Sequence, residues 1–187
     1  IMAGRFFTAD EARQMARSKL PRMMFDFVDG AAGDETLRDI NSRAIDAVRL
    51  MPRVLADVAT RDLSHTVLGM ETGCPFGIAP MGMCNLAWPG ADMMLARAAA
   101  ARRFPVCVST ASSTTLETMQ ETADGNAWFQ LYADRSAAFT DELVDRAEAA
   151  AYEVLILTVD VPVLSQRIRD LRNGFKYPFH WGPRQIW

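Results

Sequence analysis

The sequence predicts an α/β fold, the first half of a (β/α)8 TIM barrel preceded by an N-terminal helical segment. Four apolar runs begin at residues 74, 104, 126 and 153, about one βα unit apart. Helical patterns separate the runs, which is typical of a parallel sheet covered by helices. Each run ends in polar or small residues, and barrel enzymes collect their active sites at that end of successive strands.

The N-terminal segment carries two helix signals. Residues 8–11, "TADE", form a capping box, and apolar residues follow it at helical spacing. Pro21 is suited to the first position of a second helix, which Gly30 and Gly33 would end. Residues 46–73 have the composition of irregular or short-strand structure.

The βα units follow in order from residue 74. A second box, from Thr114 to Glu117, predicts that a short helix begins after Thr114. In chain order, the predicted elements are strand 74–81, helix 92–103, strand 104–110, helix 114–122, strand 126–132, helix 136–152 and strand 153–160.

A doubly wound sheet also fits this alternation, but no strand is followed by a glycine-rich nucleotide loop. Four units make half a barrel, which alone would expose two strand edges. We therefore expect a C-terminal half of the barrel, missing or present as a separate chain. The predicted domains are residues 1–73, with the N-terminal helices and a barrel-closing segment, and residues 74–187, with four βα units ending in the loop after strand 4.

Composition excludes several classes of protein. The chain has 187 residues, a net charge of −3 and no basic stripe, so nucleic acid is not an expected partner. No apolar run approaches the roughly 18 residues that span a bilayer. The three cysteines form no C-x-x-C pair, and we interpret them as buried hydrophobes in a reducing compartment, with no metal site. The expected location is the cytoplasm.

Several stretches, taken together and in order, resemble the FMN-dependent (S)-2-hydroxy-acid oxidases and dehydrogenases, the family of mandelate dehydrogenase, L-lactate dehydrogenase and glycolate oxidase. The resemblance runs from about residue 19 to residue 175, roughly the first half of a family member. It implies oxidation of an (S)-2-hydroxy acid to the 2-oxo acid, with FMN as cofactor. The stretches are "KLPRMMFDFVDGAAGDE", "PRVLADV", "GIAPMGM", "STASS", "WFQLYADR" and "LTVDVPVLSQRIRDLRNGF".

The resemblance also implies roles for individual residues. Tyr132 would point its hydroxyl at the substrate oxygen, and Arg167 would clamp the substrate carboxylate, a task that suits a planar two-pronged donor. Asp160 would act as an acceptor behind the site. The cofactor residues would be Ala79, Pro80, Met81 and Gly82 near N5 of the flavin, and Ser109, Gln130 and Thr158 as hydrogen-bonding partners of its ring.

Three positions differ from the family pattern in ways that bear on substrate and electron-acceptor specificity. Ala111 replaces a tryptophan of glycolate oxidases, which leaves room for substrates larger than glycolate. Phe27 replaces a tyrosine whose hydroxyl helps to hold the substrate carboxylate in the family. Gly82, rather than alanine, leaves space near N5 and favours a dehydrogenase over an oxidase.

The rest of the family's machinery lies in the later half. The catalytic histidine, a lysine and arginines near the flavin and the phosphate site are expected there, and we interpret His65 and His180 as structural or surface residues. This chain alone is therefore expected to be inactive. The resemblance implies a homo-oligomer, with a tetramer typical of the family. The terminal loop, residues 175–187, is rich in aromatic residues. A cytoplasmic protein attached to the inner face of the membrane is therefore an alternative location.

Two other functions stay open on the sequence alone. One is a non-catalytic half-barrel that serves as a binding or scaffold protein. The other is a different FMN-binding barrel enzyme, although such an enzyme would have no need of the stretch "TVDVPVLSQR".

Overall fold

A computed structural model describes residues 6–161, 163 and 165–175. These residues form two compact units. The first unit comprises the described residues up to Arg53 and from Val163 onward, and the second lies between Val54 and Pro162. The domain boundary at residue 73 stays a prediction.

The second unit contains the βα repeats. Its main sheet has four parallel strands in chain order, β3-β4-β5-β6, which confirms the predicted alternation. An antiparallel hairpin precedes them. The elements are β1 (His65–Val67), β2 (Met70–Thr72), β3 (Ile78–Met81), α4 (Cys84–Ala87), α5 (Ala91–Arg102), β4 (Val106–Ser109), α6 (Leu116–Thr122), β5 (Ala127–Leu131), α7 (Ala137–Ala149) and β6 (Leu155–Leu157).

The core of this unit lies between one face of the sheet and helices α5, α6 and α7. Val106 and Val108 on β4 and Phe129 on β5 are almost completely buried there. They occupy alternate strand positions, as expected when one face of a strand packs against helices. On α5, the small residues Ala96 and Ala99 are fully buried, so that helix contributes to the core without large side chains.

The first unit is helical. It contains α1 (Ala9–Lys19), α2 (Arg22–Asp29), α3 (Thr36–Asp46) and α8 (Ile168–Asn173). The capping box at the start of α1 is confirmed, because the Glu11 amide donates to Thr8 Oγ1 at 3.1 Å and the Thr8 amide donates back to Glu11 Oε2 at 3.3 Å. Helix α2 ends at Gly30 as predicted, but Pro21 is its N-cap and lies one residue before the first helical position.

Ion pairs connect the helices of the first unit. Asp29, at the end of α2, accepts hydrogen bonds from Arg13 of α1 and from Arg169 of α8, the latter at 2.8 Å. Arg169 also donates to Glu35, in front of α3. One carboxylate and one guanidinium therefore connect α1 and α2 with α8, and α8 with the residue before α3.

The start of α6 differs from the prediction by one residue. Thr115, not Thr114, caps the helix, and its Oγ1 accepts the Thr118 amide at 3.4 Å. The Thr114 hydroxyl instead donates to Asp92 of α5, so a tertiary contact takes the group that the local motif assigned to the cap. Helices α3, α4 and α8 were not predicted.

Removing the hydroxyl of Tyr152 should destabilise the second unit. This hydroxyl donates to the Leu116 carbonyl at 2.8 Å, and burial raises the pKa of the phenol above its usual range. We expect Tyr152→Phe to lower the free energy of unfolding by about 1 kcal/mol, measured by urea denaturation. Tyr132→Phe is the matched control, since the exposed Tyr132 side chain makes no hydrogen bond to any described residue. An equal loss in both variants would contradict the assignment.

The ion pairs of Asp29 should make the free energy of unfolding decrease at acidic pH. The hydrogen bond from Arg13, opposed by burial and assisted by Arg169, lowers the pKa of Asp29 to about 2. A lowered carboxyl pKa stabilises the folded state above the unfolded pKa, and this contribution disappears as the pH falls from about 4 to about 2. It should amount to about 1–2 kcal/mol, because Arg13 is half exposed to solvent.

The test compares Asp29→Asn with Asp141→Asn, an exposed carboxylate on α7 without a partner among the described residues. Urea unfolding between pH 5 and the acid limit of folding should show a weaker pH dependence for Asp29→Asn alone. Parallel curves for the wild type and Asp29→Asn would refute the role given to this carboxylate.

Candidate active site

A row of polar side chains crosses the C-terminal ends of β4, β5 and β6. Ser109 lies directly opposite Gln130 in the parallel register, so their side chains point to the same face of the sheet. The Gln130 amide Nε2 donates to Thr158 Oγ1 at 2.8 Å, one residue beyond the end of β6. The structure thus brings together all three residues predicted to bind the flavin ring.

Two members of this row are buried yet keep unused hydrogen-bonding capacity. Ser109 is 5% exposed and Gln130 is 1% exposed. The Ser109 Oγ accepts the Ala111 amide at 3.1 Å, but its own hydroxyl finds no acceptor among the described residues, and Gln130 Oε1 receives no hydrogen bond from them. Gln130 Oε1 is not one of the fully buried side-chain atoms that lack a partner, so it is open to solvent or to a ligand. The free Gln130 acceptor and Ser109 hydroxyl match a ring edge that carries both donors and acceptors, as an isoalloxazine ring does.

Gly82 and Ala111 lie against each other beside this row. The Met83 amide donates to the Ala111 carbonyl at 2.9 Å. A Cβ added at Gly82 would come within 3.0 Å of the Ala111 methyl group, so a side chain at 82 would need a shift of the neighbouring loop. Ala79, Pro80 and Met81 precede Gly82 on β3 and are exposed. Their roles toward the flavin stay predictions.

Thr110 has a positioning role that sequence reasoning missed. Its hydroxyl donates to the Gln130 carbonyl at 2.7 Å and accepts the Tyr132 amide at 3.0 Å. One side chain just beyond β4 therefore holds the backbone on both sides of Leu131 and orients two predicted site residues. The available sequence signal is the position of Thr110 at the end of the apolar run 104–110, directly after Ser109.

Tyr132 and Asp160 are both exposed at this edge. The Tyr132 side chain is 44% exposed, which leaves its hydroxyl accessible to a substrate. Asp160 makes no hydrogen bond to a described residue, and its role as an acceptor behind the site stays a prediction.

Phe27 and Arg167 belong to the first unit and contact each other there. Arg167 Nη2 donates to the carbonyls of Phe27 and Gly30, the latter at 2.9 Å, and its guanidinium lies 5.2 Å from the centre of the Phe27 ring. The Phe27 ring stacks on Phe175 with centroids 4.6 Å apart. Arg167 thus caps the C-terminal carbonyls of α2, a structural contact that the sequence did not reveal.

The charge beside Arg167 is Asp170. Its Oδ2 lies 3.1 Å from Arg167 Nε, an ion-pair distance at which the N–H is not aimed at the oxygen. Burial raises the pKa of Asp170, and Arg167 opposes that rise. The predicted contact of Arg167 with a substrate carboxylate stays a prediction.

Other classes of site find no support in the described part of the chain. Three or more His, Cys, Asp or Glu side chains do not come together there as a metal site would need. Burial raises the pKa of Cys84 to about 11 and raises that of Cys107. None of the helices between residues 6 and 175 has the length and hydropathy to cross a bilayer. His180 and most of the terminal loop lie outside the described residues.

Comparison with known proteins finds relatives that are named as 2-hydroxy-acid dehydrogenases and oxidases. The chain is 35% identical over 185 residues to (S)-mandelate dehydrogenase of Pseudomonas putida, an alignment that covers 99% of this chain and 47% of the relative. It is 40% identical over 172 residues to L-lactate oxidase of Nostoc, covering 90% of this chain and 47% of the relative. The chain therefore spans about half the length of the curated relatives it matches.

Solved structures give the same result. The monotopic membrane protein (S)-mandelate dehydrogenase superposes with a TM-score of 0.90 at 35% identity, covering 97% of this chain and 48% of that one. A mandelate oxidase superposes with a TM-score of 0.87 at 34% identity, covering 93% and 50%. These neighbours confirm the predicted α/β fold as part of a barrel.

The family profile described as FMN-dependent dehydrogenase matches residues 16–187, nearly the whole chain. The strand order, the polar strand ends and the relatives agree with that match. This chain belongs to the FMN-dependent dehydrogenase family.

Proposed function

We propose that the whole protein uses FMN to oxidise an (S)-2-hydroxy acid larger than glycolate to the 2-oxo acid. The observation that carries the proposal is the row of Ser109, Gln130 and Thr158. These side chains are adjacent at the strand ends and retain donors and acceptors for a planar heterocycle. Family membership supports the choice of FMN for that heterocycle.

The reaction breaks the O–H and Cα–H bonds of the substrate and forms a C=O bond. FMN, when bound, accepts the electron pair that leaves the substrate carbon. In this proposal Tyr132 holds the substrate hydroxyl oxygen by hydrogen bonding, and Arg167 pairs with the substrate carboxylate. The general base and the phosphate site come from the half of the barrel that corresponds to the rest of the relatives' length.

The proposed substrate class rests on the neighbourhood of Gly82. Ala111 presents only a methyl group beside this glycine, so no large side chain at position 111 limits the size of the substrate. Mandelate- or lactate-like acids fit that description better than glycolate does. Relatives named for mandelate and for lactate are consistent with this choice.

We further propose that the C-terminal half of the barrel packs against β6. On that strand Leu155 and Leu157 are 50% and 54% exposed, an apolar face that a following helix of a barrel would cover. A homo-oligomer such as a tetramer and a cytoplasmic location, with or without peripheral attachment to the inner face of the membrane, complete the proposal.

The test uses the full-length protein. We expect it to purify with the visible absorption of bound flavin and to lose that absorption when mixed anaerobically with (S)-mandelate or (S)-lactate. Residues 1–187 expressed alone should neither retain FMN nor bleach it. Full-length protein that is colourless, or whose flavin no 2-hydroxy acid reduces, would refute the proposal and favour a scaffold function.

Tyr132→Phe tests the catalytic assignment in the same assay. This variant should keep FMN and its unfolding free energy but reduce the flavin at least about tenfold more slowly, the factor expected for one lost hydrogen bond in the transition state. Tyr152→Phe should be less stable yet reduce the flavin at the wild-type rate. Normal kinetics in Tyr132→Phe would exclude this residue from the reaction.

A hydroxyl at position 27 should tighten substrate binding if Phe27 faces the carboxylate. One charge-assisted hydrogen bond contributes about 1.5–3 kcal/mol, so we expect Phe27→Tyr to lower KM about tenfold or more in steady-state assays. Phe139→Tyr, an exposed ring on α7, is the matched control and should leave KM unchanged. An unchanged KM in Phe27→Tyr would show that this ring does not face the substrate.

A further inference from the structure

Asp92 is a carboxylate buried at the start of α5, with 3% of its surface exposed. A buried carboxylate is costly unless hydrogen bonds or a counter-charge compensate for the lost water. Within the described part of the chain no lysine or arginine forms an ion pair with it. The compensation must come from neighbouring donors and from the N-terminal end of α5, which favours negative charge.

Three donors come from the loop that follows β4. Asp92 Oδ2 accepts from Ser112 Oγ at 3.3 Å, from the Ser113 amide at 3.1 Å and from Thr114 Oγ1 at 3.1 Å. Asn85 adds a second connection, because its Oδ1 accepts the Asp92 amide at 3.2 Å and its Nδ2 lies 3.4 Å from Thr114 Oγ1 as donor. A single carboxylate oxygen thus binds three consecutive residues of one loop.

The same loop carries Ala111, immediately before this bound stretch. Ala111 is also held by its amide, which donates to Ser109 Oγ at 3.1 Å, and by its carbonyl, which accepts from Met83 at 2.9 Å. Its methyl group is the one that a Cβ at Gly82 would touch. The Asp92 contacts to residues 112–114 and these two hydrogen bonds together fix the backbone on both sides of the residue that borders the proposed substrate space.

The titratable group of α4 that interacts with Asp92 is the thiol of Cys84. Burial, then the charge of Asp92 and a hydrogen bond to it, raise the pKa of this thiol to about 11. The thiol therefore stays neutral beside the carboxylate and does not repel it.

We propose that Asp92 is a positioning residue that sets the preference for bulky 2-hydroxy acids by holding the loop from Thr110 to Thr115, and with it Ala111, in place. The inference rests on the proposed function, since it concerns the substrate of that site. Asp92 acts through the loop and is not itself a catalytic residue. A merely structural carboxylate would lower stability and affect every substrate equally, so substrate discrimination is the measurement that separates the two roles.

The experiment uses the full-length FMN-bound enzyme in four forms besides the wild type. They are Asp92→Asn, Thr114→Val, the double variant, and Asp141→Asn as a control on α7. Steady-state kcat and KM are measured with (S)-mandelate and with glycolate. We expect the kcat/KM ratio of mandelate to glycolate to fall at least about tenfold in Asp92→Asn, the factor that one hydrogen bond to a charged group corresponds to.

Most of the decrease in this ratio should come from a higher KM for mandelate, because the bulkier substrate depends most on the position of Ala111. Thr114→Val should give a smaller fall, and the double variant should lose less than the product of the two single effects, since both changes break the same contact. Asp141→Asn should leave the ratio unchanged. An unchanged ratio in both Asp92→Asn and Thr114→Val would overturn the proposal. If Asp92→Asn fails to fold, Thr114→Val alone decides.

Amide hydrogen exchange separates failure of this inference from failure of the proposed function. Peptides that cover residues 110–115 should exchange at least about tenfold faster in Asp92→Asn than in the wild type or Asp141→Asn. If the wild type oxidises no 2-hydroxy acid but the loop still loses protection, the proposed function fails while the positioning contact stands. Unchanged exchange would refute the contact whatever the enzyme oxidises.

Discussion

The parallel register between β4, β5 and β6 is the constraint on which the candidate site depends. It sets Val106 against Ala127 at one end and Ser109 against Gln130 at the other. The same ladder continues into β6, which brings Thr158 within 2.8 Å of the Gln130 amide. Because side chains alternate along a strand, a shift of one residue in either pair would turn a polar strand end from the open face into the helix-covered core.

Helix packing holds that register. Val108 and Phe129 fill the space between the sheet and its helices, and the small residues of α5 complete that layer. Two side chains also satisfy backbone carbonyls in this layer. The Tyr152 hydroxyl donates to the Leu116 carbonyl, and Gln120 donates to the Ala151 carbonyl at 2.8 Å. The apolar layer and these polar contacts stabilise the sheet without using the side chains at its C-terminal strand ends. In barrel enzymes those strand ends form the active site.

Hydrogen bonds between residues distant in the sequence fix the backbone near the C-terminal strand ends. Thr110 fixes the backbone around Gln130 and Tyr132, and Asp92 holds the loop that carries Ala111. In the first unit, Arg169 and Asp29 play a comparable part among helices. In each case one side chain binds groups that lie many residues away. In the second unit, the candidate site residues Gln130 and Tyr132 are held by a neighbour that has no direct chemical role in the proposal.

The sequence alone determined the order and type of most elements, the polar strand ends and the family, because hydrophobic periodicity, capping residues and short motifs are local signals. It missed α3, α4 and α8, and it placed the start of α6 one residue early because the Thr114 hydroxyl has a tertiary partner. It also suggested Arg167 as a substrate ligand without revealing its contacts with the carbonyls of α2. Only the tertiary structure decided these points and the role of Asp92, since its partners stand 20 to 22 residues away and no local pattern connects them.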